Sequence, residues 1–158
     1  MNSRESAVID IARSDAGDAA AILALQRLAY QREAQRYHDP ALPPLRETLA
    51  ELVAAFETHV FLKATVQDVI VGSVRAYADR GTCFIGRLMV HPRLQRRGIG
   101  TALMLQIETY FPDVERFQLF TGARSVANIR LYRRLGYAIV ATEPVDDRLS
   151  IVIMTKPA

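Results

Sequence analysis

The alternation of apolar and polar residues along the chain predicts seven strands. Strict alternation near the start indicates an opening strand, and later runs rich in β-branched residues, separated by short polar breaks, indicate a three-strand meander. One further strand and a closing pair are predicted after the meander. The predicted strands cover residues 8–12, 59–66, 69–77, 83–90, 117–121, 137–142 and 149–154.

Apolar residues spaced three or four apart predict four helices between these strands. Residues 38–44 are expected to be non-helical, because they contain three prolines and each proline lacks an N–H donor. Gly136 is the predicted left-handed stop of the last helix. The predicted helices run from Asp15 or Asp18 to about residue 37, over residues 45–56, over residues 98–110, and from a cap at Ser125 to Leu135.

In sequence order these elements read β-α-α-β-β-β-α-β-α-β-β, the arrangement of an α/β domain with a mixed sheet. The strand–helix–strand passage through residues 83–121 implies one parallel pairing inside that sheet. A chain of 158 residues suits one domain, and neither a linker nor a repeat divides it. We therefore predict a single domain spanning residues 1–158.

The composition is that of a globular protein. Hydrophobic residues make up 50% of the sequence and charged residues 23%, a balance that allows a real core. Cys83 is the single cysteine and the three histidines are scattered, so we expect neither a disulfide framework nor a metal site. No apolar run approaches the roughly 20 residues of a membrane span, and the first residues lack the apolar segment of a secretory signal. A soluble, cytoplasmic protein without a membrane partner is expected.

The formal net charge of +3 conceals an uneven distribution. Residues 80–107 and 116–142 contain no Asp or Glu and hold five arginines each, whereas residues 33–57 hold five acids against two arginines. Two acid-free segments indicate an anionic ligand. Nucleic acid is not expected, because these segments lack the alternating aromatic residues of a base-stacking platform.

One string between a predicted strand and a predicted helix has the features of an anion site: Gln95-Arg96-Arg97-Gly98-Ile99-Gly100-Thr101. N–H groups in the first turn of a helix have no intrahelical acceptor and, with the helix dipole behind them, attract anions. Gly98 and Gly100 let the backbone approach an oxygen-rich group closely. Thr101 adds a hydroxyl, and Arg96 and Arg97 add positive charge. The string predicts a phosphate or pyrophosphate site.

Two common phosphate motifs do not fit this string. A P-loop requires Gly-x4-Gly-Lys-Ser/Thr, and no lysine occurs between Lys63 and Lys156. A dinucleotide fingerprint requires a third glycine where Leu103 stands and a strand that runs straight into the first glycine, but residues 91–97 intervene. The pattern that remains is Gln/Arg-x-x-Gly-x-Gly/Ala after a strand ending in Val-His-Pro.

This remaining pattern resembles the coenzyme A pyrophosphate loop of the GNAT N-acetyltransferase superfamily. Residues 128–137, Asn-Ile-Arg-Leu-Tyr-Arg-Arg-Leu-Gly-Tyr, resemble a second signature of the superfamily, Asn-x-x-Ala/Leu-x-x-Tyr-x-x-x-Gly-Phe/Tyr. The separation of the two motifs and the order of elements also match, so the resemblance covers essentially the whole chain. It implies transfer of an acetyl group from acetyl-coenzyme A to a primary amine by direct attack, on a sheet with a V-shaped splay between its central strands.

The resemblance also implies roles for individual residues. Backbone groups of Leu88, Met89 and Val90, near a bulge at the splay, correspond to those that hold the oxyanion and the pantetheine arm. Tyr132 matches the tyrosine that donates to the coenzyme A sulfur, and a phenol with an ordinary pKa near ~10 is protonated at neutral pH. The implied residues for acetyl-coenzyme A are Leu88, Met89, Val90, Gln95, Arg96, Arg97, Gly98, Ile99, Gly100, Thr101, Asn128 and Tyr132.

The acceptor side leaves more alternatives open. Many relatives carry a glutamate on the central strand, but residues 83–90 contain no carboxylate. The candidate bases are therefore an ordered water and the side chains of Glu33, His38, Asp39 and His59. In the superfamily the first two helices and their link form one wall of the acceptor pocket.

Acidic residues in that link favour a small cationic amine as the acceptor. We expect Glu33, Tyr37 and Asp39 to contact it. A peptide or protein amine is an alternative acceptor, and a coenzyme A-binding module without turnover is an alternative function. A homodimer is in keeping with the resemblance.

Overall fold

Seven strands form one mixed sheet in the order β1-β2-β3-β4-β5-β7-β6. The computed structural model describes residues 8–39 and 41–158. The strands are β1 (Asp10–Arg13), β2 (Val60–Val66), β3 (Val69–Asp79), β4 (Thr82–Val90), β5 (Arg116–Gly122), β6 (Ala138–Pro144) and β7 (Ser150–Pro157). The helices are α1 (Ala19–Arg36), α2 (Pro43–Arg46), α3 (Leu49–Ala55), α4 (Ile99–Glu108) and α5 (Val126–Arg134), with 3-10 turns at Ala16–Asp18 and Pro92–Leu94.

The parallel pairing of β4 with β5 is short, and it opens the sheet. Three residue pairs join the two strands, and the last of them is Phe84↔Gln118. Beyond it β4 continues beside β3 as far as Val90, while β5 stays paired with β7 as far as Gly122. The predicted α/β mixed sheet, its single parallel pairing and its V-shaped splay between the central strands are therefore confirmed.

Two-residue turns close the meander that leads into β4. Gln67 and Asp68 join β2 to β3, and Arg80 and Gly81 join β3 to β4; all four residues have positive φ angles, between 49° and 82°. Such a pair of left-handed residues has the twist that an antiparallel hairpin requires. The predicted breaks at these two positions are thus confirmed as tight hairpins.

Helices cover the two faces of the sheet and form two hydrophobic clusters. Ile99, Leu103 and Ile107 recur at helical spacing on α4 and are fully or almost fully buried in the larger cluster. α1 and α3 pack on the opposite face, where Ile22 and Leu52 are fully buried. On β4, Met89 packs in the smaller cluster while its neighbours Leu88 and Val90 pack against the larger one, since successive side chains of a strand point to opposite faces. No helix among the described residues combines the length and the apolar character needed to cross a membrane.

The predicted helix over residues 45–56 is in fact two helices, which corrects the expectation for this segment. α2 begins at Pro43, inside the stretch expected to be non-helical, with prolines at its first two positions. A proline costs no hydrogen bond there, because the first N–H groups of a helix have no intrahelical acceptor. α3 starts separately after Thr48, which forms a capping box with Glu51. The break puts Glu47 between the two helices.

The C-terminal end of α1 docks on the loop that follows β5. The Tyr37 hydroxyl accepts a hydrogen bond from the backbone N–H of Arg124 at 2.8 Å, and the Arg124 guanidinium lies 5.6 Å from the centre of the Tyr37 ring. Tyr37 is 2% exposed. Gly122 makes room for this ring, because a Cβ at residue 122 would collide with its hydroxyl and lie 2.9 Å from Ser125 Oγ.

Replacing Gly122 with alanine is expected to destabilise the protein by about 1–3 kcal/mol, the usual cost of overpacking. Thermal unfolding measures this loss. Gly86→Ala is the matched control, since a Cβ at residue 86 would meet no neighbouring atom of the described residues within 4 Å. Equal unfolding temperatures for the two variants would contradict the packing argument.

Candidate active site

A β-bulge distorts β4 just after its last pairing with β5. Ser73 pairs with Met89 but Arg75 pairs with Gly86, so Arg87 and Leu88 together occupy the length of one residue on β3. Arg87 has a φ of 52°, a conformation that is uncommon for residues other than glycine. The bulge re-aims the backbone of residues 88–90 at the mouth of the splay, where the resemblance implies it.

The N-terminus of α4 opens beside this bulge. Within the described residues, the backbone N–H groups of Ile99, Gly100 and Thr101 have no acceptor; the first intrahelical bond runs from the Ala102 N–H to the Gly98 carbonyl, at 3.0 Å. Gly98 is the cap, with a φ of 81°. The predicted string therefore has the local geometry of an anion site: free N–H donors at the positive end of a helix.

The space above this helix end is open. A Cβ at residue 98 would meet no neighbouring atom of the described residues within 4 Å, and Gln95, Arg96 and Arg97 are exposed. Gly100 faces the protein instead, where a Cβ would lie 3.4 Å from Leu131 and 3.8 Å from Leu88. The missing side chain at residue 100 thus lets α4 start against both β4 and α5.

Tyr132 of α5 belongs to the same region. Its side chain is 6% exposed and meets the Tyr137 ring edge to face, with 6.1 Å between the ring centroids. Its hydroxyl makes no hydrogen bond to a described residue. Burial raises the pKa of Tyr132 above its usual value, and the charges of Tyr30 and Glu33 raise it further. The phenol is therefore protonated at neutral pH, with its O–H available to a ligand.

Asn128 lies one turn before Tyr132 on α5 and is half-buried. Its side chain makes no hydrogen bond to the described residues and does not cap the helix. Ser125 occupies the cap position, but its hydroxyl donates to Glu33 Oε2 at 2.6 Å and accepts no hydrogen bond from the helix backbone. Ser125 therefore lies at the predicted cap position. The predicted capping hydrogen bond is absent, because the hydroxyl is turned toward Glu33 of α1.

The three predicted acceptor residues have protein partners. Glu33 also binds Arg36, and Tyr37 is the buried docking residue described above. Asp39 Oδ1 accepts the Ala41 N–H at 3.0 Å and so closes its own turn. The structure thus gives Tyr37 a packing role, whereas contact with an acceptor requires an exposed position. Of the three predicted residues, only Glu33 lies close enough to Tyr132 and to Tyr30 of α1 to raise their pKa values.

Tyr30 is a site residue that the sequence patterns did not reveal. It projects from α1, and its hydroxyl donates to the Leu88 carbonyl in the bulge at 3.2 Å. Burial raises the pKa of Tyr30 to about 12. No local motif marks this residue, since its partner lies 58 positions away along the chain.

A buried charged cluster on the same side was also missed. Arg75 of β3 donates to both carboxylate oxygens of Glu47, at 2.9 and 3.0 Å, and Gln26 of α1 donates to Glu47 Oε1 at 2.9 Å. Burial acts to raise the pKa of Glu47, but the hydrogen bond from Gln26 and the charge of Arg75 outweigh it and lower the pKa below its usual value. Glu47 is therefore a carboxylate at neutral pH.

The remaining candidate bases lie apart from the bulge. Burial and the nearby charge of Arg75 lower the pKa of His59, whose ring packs edge to face against Tyr77 at 4.9 Å. The His38 carbonyl accepts a hydrogen bond from Arg148. Among the described residues, no group of three or more His, Cys, Asp or Glu side chains is arranged to hold a metal ion.

Solved structures with this arrangement of elements include N-acetyltransferases. An Escherichia coli ribosomal-protein-alanine N-acetyltransferase superposes with a TM-score of 0.78 at 20% identity, over 95% of this chain and 94% of that one. PaiA N-acetyltransferase from Thermoplasma acidophilum, in complex with coenzyme A, gives 0.78 at 17% identity over 96% and 99%. YncA from Salmonella typhimurium, with acetyl-CoA, gives 0.75 at 20% over 94% and 93%. At these identities the likeness establishes the fold.

Sequence comparisons identify the family to which the chain belongs. The UPF0157 protein YqkA of Bacillus subtilis is 28% identical over 116 residues, which are 73% of this chain and 33% of that protein. The chain therefore spans about a third of the length of this relative. The model of the acetyltransferase (GNAT) family matches residues 19–137, from the start of α1 to the residue before β6. The chain belongs to the acetyltransferase (GNAT) family.

Proposed function

We propose that this protein transfers an acetyl group from acetyl-coenzyme A to a primary amine by direct attack. The observation that carries the proposal is the contiguity of three features at the splay: free N–H donors at the start of α4, the bulge of β4 and the protonated Tyr132. Gly100 joins them, because its missing side chain brings α4 against Leu88 and Leu131. Family membership makes the chain an acetyltransferase domain with acetyl-coenzyme A as its co-substrate.

The residues at the splay fit acetyl-coenzyme A, which supplies the acetyl thioester when bound. Residues 95–101 would hold the pyrophosphate through the N–H groups of Ile99, Gly100 and Thr101 and through the charges of Arg96 and Arg97. The backbone of residues 88–90 would hold the pantetheine arm, and the half-buried Asn128 amide would bind the same molecule from α5.

In the reaction a neutral amine forms a C–N bond to the acetyl carbon, and the C–S bond breaks. The nitrogen, which becomes positively charged as it attacks, loses a proton to solvent to give the neutral amide, and the departing thiolate receives a proton from the Tyr132 hydroxyl. Because burial raises the pKa of Tyr132, the phenol still carries its proton when the thiolate forms. Its own proton is then restored from water.

Removal of the acceptor's ammonium proton needs a base on the α1 side. Glu33 is the candidate near both tyrosines, although Ser125 and Arg36 already hold its carboxylate. We propose that it acts through water and not by direct contact.

The first predicted alternative, a module that binds coenzyme A without turnover, would bind the same ligand but release no thiol with any amine.

Changing Gly98 to aspartate is expected to weaken coenzyme A binding by about 100-fold, because a negative charge would stand at the open face of the pyrophosphate site. Gly98→Asn is the matched control: it has nearly the same shape without the charge, and asparagine tolerates the positive φ. Calorimetric titration with coenzyme A gives both affinities. Equal loss in the two variants would mean that shape, and not charge, excludes the ligand.

Changing Tyr132 to phenylalanine is expected to lower kcat for thiol release by about 100-fold, within the usual range for a lost general acid. Affinity for acetyl-coenzyme A should stay within about twofold, because the ring is kept. Burial raises the pKa of Tyr132, so the wild-type rate should not fall between pH 7 and pH 10 through ionisation of this group.

Tyr110→Phe is the control for this variant, since it removes the same hydroxyl from an exposed tyrosine beyond α4. Full activity of Tyr132→Phe at every pH would show that Tyr132 is not the acid.

A further inference from the structure

The side chain of Arg87 extends from the bulge toward the α1 side of the sheet without a bonded partner. Its buried Nε makes no hydrogen bond to any residue that the structure describes. The nearest carboxylate oxygen is Glu47 Oε1, at 3.8 Å, which is beyond hydrogen-bonding distance. A buried donor left unpaired costs stability, so an arginine in this state calls for an explanation.

Glu47 does not supply the missing partner, because other residues already occupy its oxygens. Oε1 accepts from Gln26 and Arg75, and Oε2 accepts from Arg75. Two guanidinium groups thus share one carboxylate, and one positive charge stays uncompensated beside the bulge. Burial lowers the pKa of Arg87 and the charge of Arg75 adds to this effect, while Tyr30 and Glu47 act in the opposite direction without cancelling it.

The surroundings of Arg87 leave room for a ligand. Its side chain is 22% exposed, and a Cβ at the preceding Gly86 would meet no described neighbour within 4 Å. On the other side Leu88 carries the carbonyl that binds Tyr30. A free guanidinium and an open space therefore adjoin the bulge at which the acetyl group would be transferred.

We propose that Arg87 binds a carboxylate of the acceptor and that the acceptor is a free α-amino acid or a close analogue with its amine and carboxylate on one carbon. This inference rests on the proposed function. Arg87 directly precedes Leu88 in the bulge, so one small acceptor could bind the guanidinium and present its amine at the same bulge. Arginine suits a carboxylate because its planar fork donates two parallel hydrogen bonds.

This acceptor differs from the small cationic amine that the acidic link favoured. Glu33 and Asp39 carry negative charge, but protein groups hold both carboxylates. A polyamine would bring further positive charge to the uncompensated guanidinium, whereas an amino acid would neutralise it. A peptide N-terminus lacks the carboxylate, since an amide replaces it on the carbon that bears the amine.

Matched acceptors test the proposal. Thiol release from acetyl-coenzyme A is measured with leucine, leucinamide and 3-methylbutylamine, with phenylalanine, phenylalaninamide and phenethylamine, and with spermidine. Rates are compared per neutral amine, because the three kinds of amine differ in pKa. At least one of the two free amino acids should exceed its amide and its decarboxylated amine by about 10-fold or more in kcat/KM.

Variants of Arg87 identify the residue responsible. Arg87→Asn removes the charge and tolerates the positive φ of the bulge, so it should raise KM for the amino acid about 10- to 100-fold. The KM for acetyl-coenzyme A and the rate with the amide, which lacks the carboxylate, should change much less. Arg87→Lys keeps the charge without the planar fork, so its KM for the amino acid should lie between those of wild type and Arg87→Asn. Arg27→Gln, on the exposed side of α1, loses the same charge and should behave as wild type.

The outcomes distinguish a failure of the amino-acid assignment from a failure of the proposed function. Thiol release that is as fast with spermidine, the amides or the decarboxylated amines overturns the amino-acid assignment and leaves the proposed function intact. An equal effect of Arg87→Asn on amino acid and amide also overturns it. If no amine releases thiol, the proposed function fails, and calorimetric titration of the amino acids into the coenzyme A complex then decides: binding that Arg87→Asn abolishes supports the carboxylate site, and no binding overturns it.

Discussion

The divergence of β4 from β5 after Phe84 is the constraint on which the rest of the site depends. Both strands keep a neighbour on their other edge, β3 for β4 and β7 for β5, so the sheet stays intact while its centre opens. Backbone groups along the open edges need partners, because unpaired N–H and C=O groups are costly away from water. The splay is thus a gap whose edges favour a ligand rich in amides and oxygens.

Two features keep this gap organised. The bulge at Arg87 and Leu88 turns the β4 backbone, and the Tyr30 hydroxyl fixes the turned carbonyl from α1. At the far end of the same helix, Tyr37 and Glu33 bind the loop between β5 and α5. α1 therefore spans the opening and connects the two strands that separate, which links the acceptor side of the site to the helix that carries Tyr132.

Different charged groups lie on the two sides of β4. Free N–H groups and exposed arginines surround the start of α4, where we propose that an anion binds. On the opposite side of β4, the acids expected to attract a cation are already paired, and Arg75 and Arg87 outnumber their common partner Glu47. The net charge of +3 in the whole sequence conceals this local excess of positive charge next to the bulge.

The sequence by itself determined the order of the elements, the two hairpin turns and the glycine-rich start of α4, because each depends on residues close together in the chain. Glycines that open a helix and apolar residues at a fixed spacing act locally. The boundaries of the helices were predicted less accurately. Pro43 and Pro44 begin a helix where the proline content predicted none, since the first helical positions need no N–H donor. Only the tertiary structure decided that Tyr30 binds Leu88, that Glu33 takes the Ser125 hydroxyl and that Arg87 Nε has no hydrogen-bond partner among the described residues, because each depends on how segments far apart in sequence pack across the sheet.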